Sequence, residues 1–249
     1  MIVLSTLVGW CACLLTVSAG EFESWANPKA KLETSSRLMQ VPGGMTITPS
    51  GSIILSVHQF QGANVRVVEI TPSGELSAFP STSMNKGGSD SPLQLDSVLG
   101  LQCDKKGVVW MLDNGRRSET TPKLVAWDTK ADKLAKIIYL PTPVVIPTSF
   151  INDLALDPEE PYIYISDPAG GSDAALIVVN TESGLARRVL QGHYSVVPMG
   201  NDLLIDGKPV FAKRVDGTKV HPFAGVNPIA VDRKGDWVYY GPMDSTTLY

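Results

Sequence analysis

Asn152-Asp153, within the stretch SFINDLALDP, sets an amide beside a carboxylate immediately before an apolar run. Side-chain oxygens at the start of a strand can hold a polar ligand or a hard cation, and they can equally cap a turn. Asn227, Asp113 and Asp167 offer the same kind of oxygen next to other apolar runs, and His58 adds an imidazole after IILSV. A set of amides and carboxylates suits Ca2+ better than a thiophilic metal, and a carboxylate within it could also move a proton. The usual carriers of other chemistries are missing: there is no Gly-x-Ser-x-Gly elbow, no His-Glu-x-x-His and no Walker loop.

The elements that must position these residues are strands. After residue 25 helical periodicity is hard to find, whereas short alternating runs of Val, Ile, Leu, Tyr and Trp, bounded by Gly, Pro, Asn and Asp, recur throughout. Four segments align: MTITPSGSIILSVHQF, LQCDKKGVVWMLDNGR, LALDPEEPYIYISDPA and IAVDRKGDWVYYGPMD. Each is a strand, a tight turn and a second strand, and the first three are each followed by another hairpin. Thr48, Asp104, Asp157 and Asp232 mark equivalent points 56, 53 and 75 residues apart. The first two spacings suit a four-stranded propeller blade.

The expected fold is therefore an all-β propeller, incomplete in this chain. Blade 1 spans about 41–80, blade 2 about 98–141 and blade 3 about 151–190, followed by an insertion at 194–213 and half a blade at about 226–249. Three and a half blades cannot close a ring, since propellers typically hold about 4 to 8. The alignment places Gly44, Leu99, Asn152 and Asn227 at equivalent lead-in positions of the innermost strands. The loops after the second strands bring His58, Asp113, Asp167, Met243 and Asp244 to the same face. One rim would thus gather Asn152, Asp153, Asn227, Asp113 and Asp167 around the central channel. Seven strand aromatics, among them Trp110, Trp237 and Tyr239, are expected to pack blade against blade.

Composition narrows the partners. The net charge is −4, and the 21 basic residues are scattered in pairs at most, so nothing matches a phosphate backbone and nucleic acid is not expected. Met1 to Gly20 carries no charge and closes on Val17-Ser18-Ala19, which reads as an export signal cleaved after residue 19. A run of that length could also span a bilayer uncleaved. After cleavage the chain is expected outside the membrane, extracellular or periplasmic. Cys103 is then the remaining cysteine, and in VLGLQCD it reads as a small buried hydrophobe.

The ordered motifs GLQCDKKGVVWMLDNGR, PKLVAWDT, SFINDLALDP, YIYISDPAGGSDAALIVVNTESGLARRVL and YYGPMDSTTLY resemble the major royal jelly protein and Yellow family, particularly its bacterial members. The resemblance runs from about Val41 to the last residue. It implies a secreted six-bladed propeller, with about two and a half blades beyond Tyr249. The disulfides of insect members have no counterpart here. Gluconolactonase-like propellers, resembling the rim more distantly, hold a divalent metal with an acidic residue, two Asn-type positions and an Asp. Here Asn152 and Asn227 match such positions, and Gly44 stands in place of the carboxylate.

Three readings follow. The first is a small organic molecule bound in the central channel by Asn152, Asp153, Asn227, Asp167, Asp113 and His58. In the second, Asn152, Asn227 and a carboxylate hold Ca2+ in a lactonase-like or isomerase-like enzyme, with Asp153 or Asp167 handling a proton. The third is a truncated copy with no activity of its own.

Overall fold

The four aligned turns are equivalent in space as well as in sequence. Thr48, Asp104, Asp157 and Asp232 each donate their backbone N–H to a carbonyl at the start of the next strand: Ser52 at 2.9 Å, Val108 at 2.9 Å, Tyr162 at 3.0 Å and Trp237 at 3.1 Å. Each side-chain oxygen also accepts backbone N–H groups inside its own turn. These residue types do this because a short oxygen-bearing side chain can mimic a backbone acceptor.

The computed structural model describes residues 38, 41–57, 64–87, 91–213, 217–222 and 224–249. The expected export signal and His58 lie outside the described residues. Strands β1 (Met45–Ile47), β2 (Ile53–Ser56), β3 (Val67–Ile70) and β4 (Leu76–Ala78) form one antiparallel sheet. A second contains β5 (Val98–Cys103), β6 (Val108–Asp113), β7 (Lys123–Asp128) and β8 (Lys133–Tyr139), and a third contains β9 (Leu154–Leu156), β10 (Tyr162–Asp167), β11 (Ala175–Asn180) and β12 (Ala186–Val189). Two small hairpins follow, β13 (Leu204–Ile205) with β14 (Lys208–Pro209) and β15 (Ala212–Lys213) with β16 (Lys219–Val220). The chain ends on β17 (Val226–Val231) paired with β18 (Val238–Pro242), and Tyr249 turns back to exchange both backbone hydrogen bonds with Tyr240. Among the described residues there is no α-helix.

The alternation of side chains along the strands makes the arrangement radial. In β6, Val109 and Met111 pack with Ile54 and Val67 of the first sheet, whereas Trp110 and Leu112 pack with Ile163, Ile165, Ile177 and Val179 of the third. In β7 the same split separates Val125 from Leu124 and Ala126. A strand whose two faces each meet a different sheet must be apolar on both, which is why VVWMLD reads as a continuous hydrophobic run. The third sheet meets the last hairpin through Leu176, Val196, Val226, Ile229 and Tyr240. Sheets stacked this way are blades, and three blades plus a hairpin form an open propeller. Among the described residues no sheet neighbours the outward face of the last hairpin, and Trp237 and Tyr239 are 67% and 41% exposed instead of packing between blades.

Two devices hold the blades in place. At the centre, polar bonds cross from one inner strand region to the next: Cys103 N–H to Thr46 Oγ1 and Leu156 N–H to Gln102 Oε1, both 2.9 Å, Ser56 Oγ to Leu99 O, 2.6 Å, and Gly100 N–H to Asn152 O, 2.9 Å. That approach requires Gly100, where a Cβ would lie 2.8 Å from Asp153 Cα and 2.9 Å from Asn152 O. Farther out, at the ends of β6 and β10 and just beyond β18, a buried carboxylate clasps the incoming connection. Asp113 accepts Asp96 and Ser97 N–H, Asp167 accepts Phe150 N–H, and Asp244 accepts Met199 and Gly200 N–H. Asn85 Oδ1, in the connection from β4 to β5, takes the N–H groups of Arg66 and Val67 where β3 begins.

The Asp167 clasp is also an ion pair, Arg188 Nη1 to Oδ2 at 2.6 Å with both side chains buried. Asp167→Ala should lower the unfolding free energy by about 3 to 5 kcal/mol, because it leaves a buried guanidinium uncompensated. Adding Arg188→Met should recover part of that loss in denaturant titrations. Gly100→Ala should cost about 1 to 3 kcal/mol by forcing β5 and β9 apart; unchanged stability would mean that the inner strands have slack.

Candidate functional site

The innermost strands start side by side. Val98, Ile151 and Val226 are buried at matching places, and the next residues, Leu99, Asn152 and Asn227, are partly accessible. In the first blade the hydrogen bonds set the match one residue earlier than the sequence alignment: Gly43 N–H binds Ser56 O and Ser56 N–H binds Gly44 O, as Asn152 N–H binds Ser166 O and Ser166 N–H binds Asp153 O. Gly43 therefore corresponds to Asn152, and Gly44 to Asp153 and Gly100. The alignment counted one residue short between the first turn and the glycine pair.

Asn152 and Asn227 meet: Asn152 Nδ2 donates to Asn227 Oδ1, and Asn227 Nδ2 reaches Met243 Sδ at 3.4 Å. Asp153 lies beside them, its Oδ1 accepting the N–H of Leu154 at 2.8 Å. Among the described residues its carboxylate has no cationic partner, and burial pushes its pKa up to about 6 against the weaker opposing pull of that N–H. The carboxylate occupies the space that the missing side chain of Gly100 leaves, with Asp153 Oδ1 2.9 Å from where a Cβ would stand. The sequence reasoning passed over Gly100, although a glycine inside an apolar strand is itself a signal of close backbone approach.

Asp113 and Asp167 sit at the same face but are fully buried, their oxygens engaged in the clasps. Asp113 shares its pocket with Lys123 Nζ, 3.8 Å away, and burial raises its pKa more than the N–H donors and Lys123 lower it. Asp244 is likewise a clasp residue, and Met243 stays at the rim through its contact with Asn227. His193 Nδ1 lies 2.8 Å from Ser195 Oγ, which also bonds Tyr240 OH, and His221 pairs with Asp202. The half-buried Cys103 thiol is pushed up to about 11 by burial and by the neighbouring Asp104, which suits a packing role and not a nucleophile.

In the alternative reading Asn152, Asn227 and a carboxylate would hold Ca2+, and the oxygens they offer at the rim are few. Asn152 and Asn227 direct an amide and a carbonyl at each other, and Asp153 adds one carboxylate, well short of the roughly six to eight oxygens that Ca2+ takes. Among the described residues, no three His, Cys, Asp or Glu side chains converge to hold a metal ion.

Similarity to known proteins agrees with the order of motifs. The chain is 24% identical to major royal jelly protein 1 of Apis mellifera over 189 residues, 70% of this chain and 40% of that protein. It is 27% identical to major royal jelly protein 6 of the same species over 165 residues, 61% of this chain and 35% of that protein. It thus spans well under half the length of the curated relatives it matches. Among solved structures, the PQQ-bound aldose sugar dehydrogenase of Streptomyces coelicolor is similar at a TM-score of 0.47 and 13% identity, over 84% of this chain and 58% of that one. The propeller is read from this chain's own strand pairing and not from that likeness. The family model described as Major royal jelly protein matches residues 96–249, which includes both complete later blades, the final hairpin and the Asn152–Asn227 rim, and the chain belongs to the major royal jelly protein family.

Proposed function

We propose that this protein is a secreted member of its family that binds a small organic molecule at the inner rim of the propeller, with Asn152, Asp153 and Asn227 as its polar contacts. One observation carries the reading: Asp153 is a desolvated carboxylate without a counter-charge among the described residues, set against an amide pair where the inner strands converge. Burying such a group costs stability, and perturbed groups of this kind concentrate where a protein binds or reacts. Asp113 and Asp167 support the rim from behind by fixing the connections that lead into β5 and β9. The uncharged first 20 residues support secretion.

The pH response follows from Asp153. Its folded pKa of about 6 lies above the ordinary carboxylate value, so the fold favours the neutral form. That contribution is complete below about pH 4 and is lost as pH rises through about 6, on the order of 2 kcal/mol after allowance for residual solvent contact. Asp153→Asn should remove this difference: between pH 4 and 7.5 the variant should gain stability relative to the parent, as read by urea titrations at several pH values. A parallel pH profile for the two proteins would place the carboxylate in water.

Binding is tested by thermal-shift screening of a small-molecule panel at pH 5 and pH 7.5, repeated with Asn152→Ala. A compound that raises the parent's melting temperature should lose its effect in the variant, while the variant's own melt stays within a few degrees. Retained binding in Asn152→Ala would move the site elsewhere. On the donor count above, millimolar Ca2+ should leave the melting temperature unchanged, and a clear rise would favour the metal-dependent alternative.

A further inference from the structure

The sequence holds one Asn-Gly step, Asn114-Gly115, directly after β6. Such a step can react within itself: the backbone nitrogen of the glycine attacks Cγ of the asparagine, and glycine, having no Cβ, leaves that approach open. The fold arranges the groups that this reaction uses. Asn114 Oδ1 accepts the N–H of Arg116 at 3.1 Å, which curls the side chain over the Gly115 peptide. The same N–H stands where negative charge grows on Oδ1 as Cγ becomes tetrahedral. Gly115 N–H donates to Asp113 Oδ1 at 3.1 Å, so the proton that the attacking nitrogen must lose already points at a carboxylate. Burial raises the pKa of Asp113 against the opposing pull of its N–H donors and Lys123, which makes it a better proton acceptor.

The leaving group is the least restrained part. Asn114 Nδ2 has no hydrogen-bond partner among the described residues, whereas buried amides are ordinarily paired. Asn114 is 3% exposed, which closes it to solutes. A reaction between neighbouring groups of one chain needs no such access, and holding them together removes part of its entropic barrier. The backbone around them is fixed: Gly115 sits at φ 66°, Thr120 N–H binds Gly115 O at 3.0 Å, and Asn114 N–H binds Ser97 O at 2.9 Å.

We propose that Asn114-Gly115 is a self-modification site, at which the fold promotes closure of a succinimide ring with Asp113 as proton acceptor. A bond forms between Gly115 N and Asn114 Cγ, the bond from Cγ to Nδ2 breaks, and the Gly115 proton passes through Asp113 to Nδ2, which departs as ammonia. Water then opens the ring at either carbonyl, giving aspartate or isoaspartate at position 114. This second step needs solvent, so burial makes the ring the species that accumulates. The ring nitrogen carries no hydrogen, so Asp113 loses one of its donors. Modification therefore loosens the clasp on the connection that leads into β5.

The full chain is incubated at pH 7.5, folded and in guanidinium chloride, and peptides containing position 114 are followed by mass spectrometry for loss of one ammonia. The folded protein should lose it at least about tenfold faster than the unfolded chain, and should retain the ring that the unfolded chain hydrolyses. A folded rate equal to or below the unfolded one would overturn the proposal, because the fold would then give no assistance. Asp113→Asn keeps the shape of the side chain and removes the base, so in a variant shown to be folded by circular dichroism the rate should drop to that of the unfolded chain. An undiminished rate there would remove Asp113 from the reaction, and if the variant does not fold, the comparison of the folded and unfolded parent decides. Asn114→Gln would have to close a larger ring and should show no ammonia loss from these peptides. The melting temperature of the parent should fall by a few degrees as the modified fraction rises, while Asn114→Gln holds its own value through the same incubation. A parent that melts unchanged after full modification would overturn the loosening of the clasp.

Discussion

Buried carboxylates at the ends of the second strands, Asp113, Asp167 and Asp244, are the constraint on which the rest of this propeller depends. Each sits at or just beyond the end of β6, β10 or β18, and each takes backbone N–H groups from the connection that leads toward the innermost strand of its own blade. A carboxylate can accept several such bonds at once, which a neutral side chain does less well. The clasp decides the direction in which the inner strand starts and hence which residue comes first at the rim. Asn85, in the connection from β4 to β5, binds the N–H groups of Arg66 and Val67 where β3 begins, which ties that connection back to the first blade.

The inner strands then have to approach closely, and the centre of the molecule is where side chains are least affordable. Gly44 and Gly100 leave no room for a Cβ, which would meet Leu99 O at 2.7 Å in one case and the Asp153 backbone in the other. Asp153 occupies the equivalent position in the third blade and keeps its side chain, which projects beside Gly100. Packing of this kind explains how a carboxylate without a cation can persist near the axis: the neighbouring blade has been cut back to admit it. Asn152, two residues before β9, and Asn227, just inside β17, then come within hydrogen-bonding reach of each other although 75 positions separate them.

Cysteine, histidine and the insertion have less to do with this centre. Cys103 is part of the packing between the first and second blades, and His193 and His221 lie with local partners in the long connection before β17. That connection forms two hairpins, one turning on Asp206-Gly207. The exposed Trp237 and Tyr239 stand on the face of the last hairpin where another blade would pack in a longer ring.

By itself the sequence determined the unit of construction. Short apolar runs such as VVWMLD and YIYISD, with Asp or Thr and then Gly or Pro at the turns, are enough to specify strands, hairpins and their repetition, because a strand packed on both faces is apolar throughout and a tight turn needs particular residue types. The order of motifs carried the family as well. Three-dimensional packing alone decided which oxygens were free. Asn152, Asp113 and Asp167 look alike along the chain, each a polar residue beside an apolar run. Whether such an oxygen is saturated by backbone N–H groups or left to face its neighbours across a blade boundary depends on chain segments tens of residues away. The one-residue offset at Gly43 and Gly44 was hidden for the same reason: hydrogen bonds across the sheet set the register, and no count along one strand contains them.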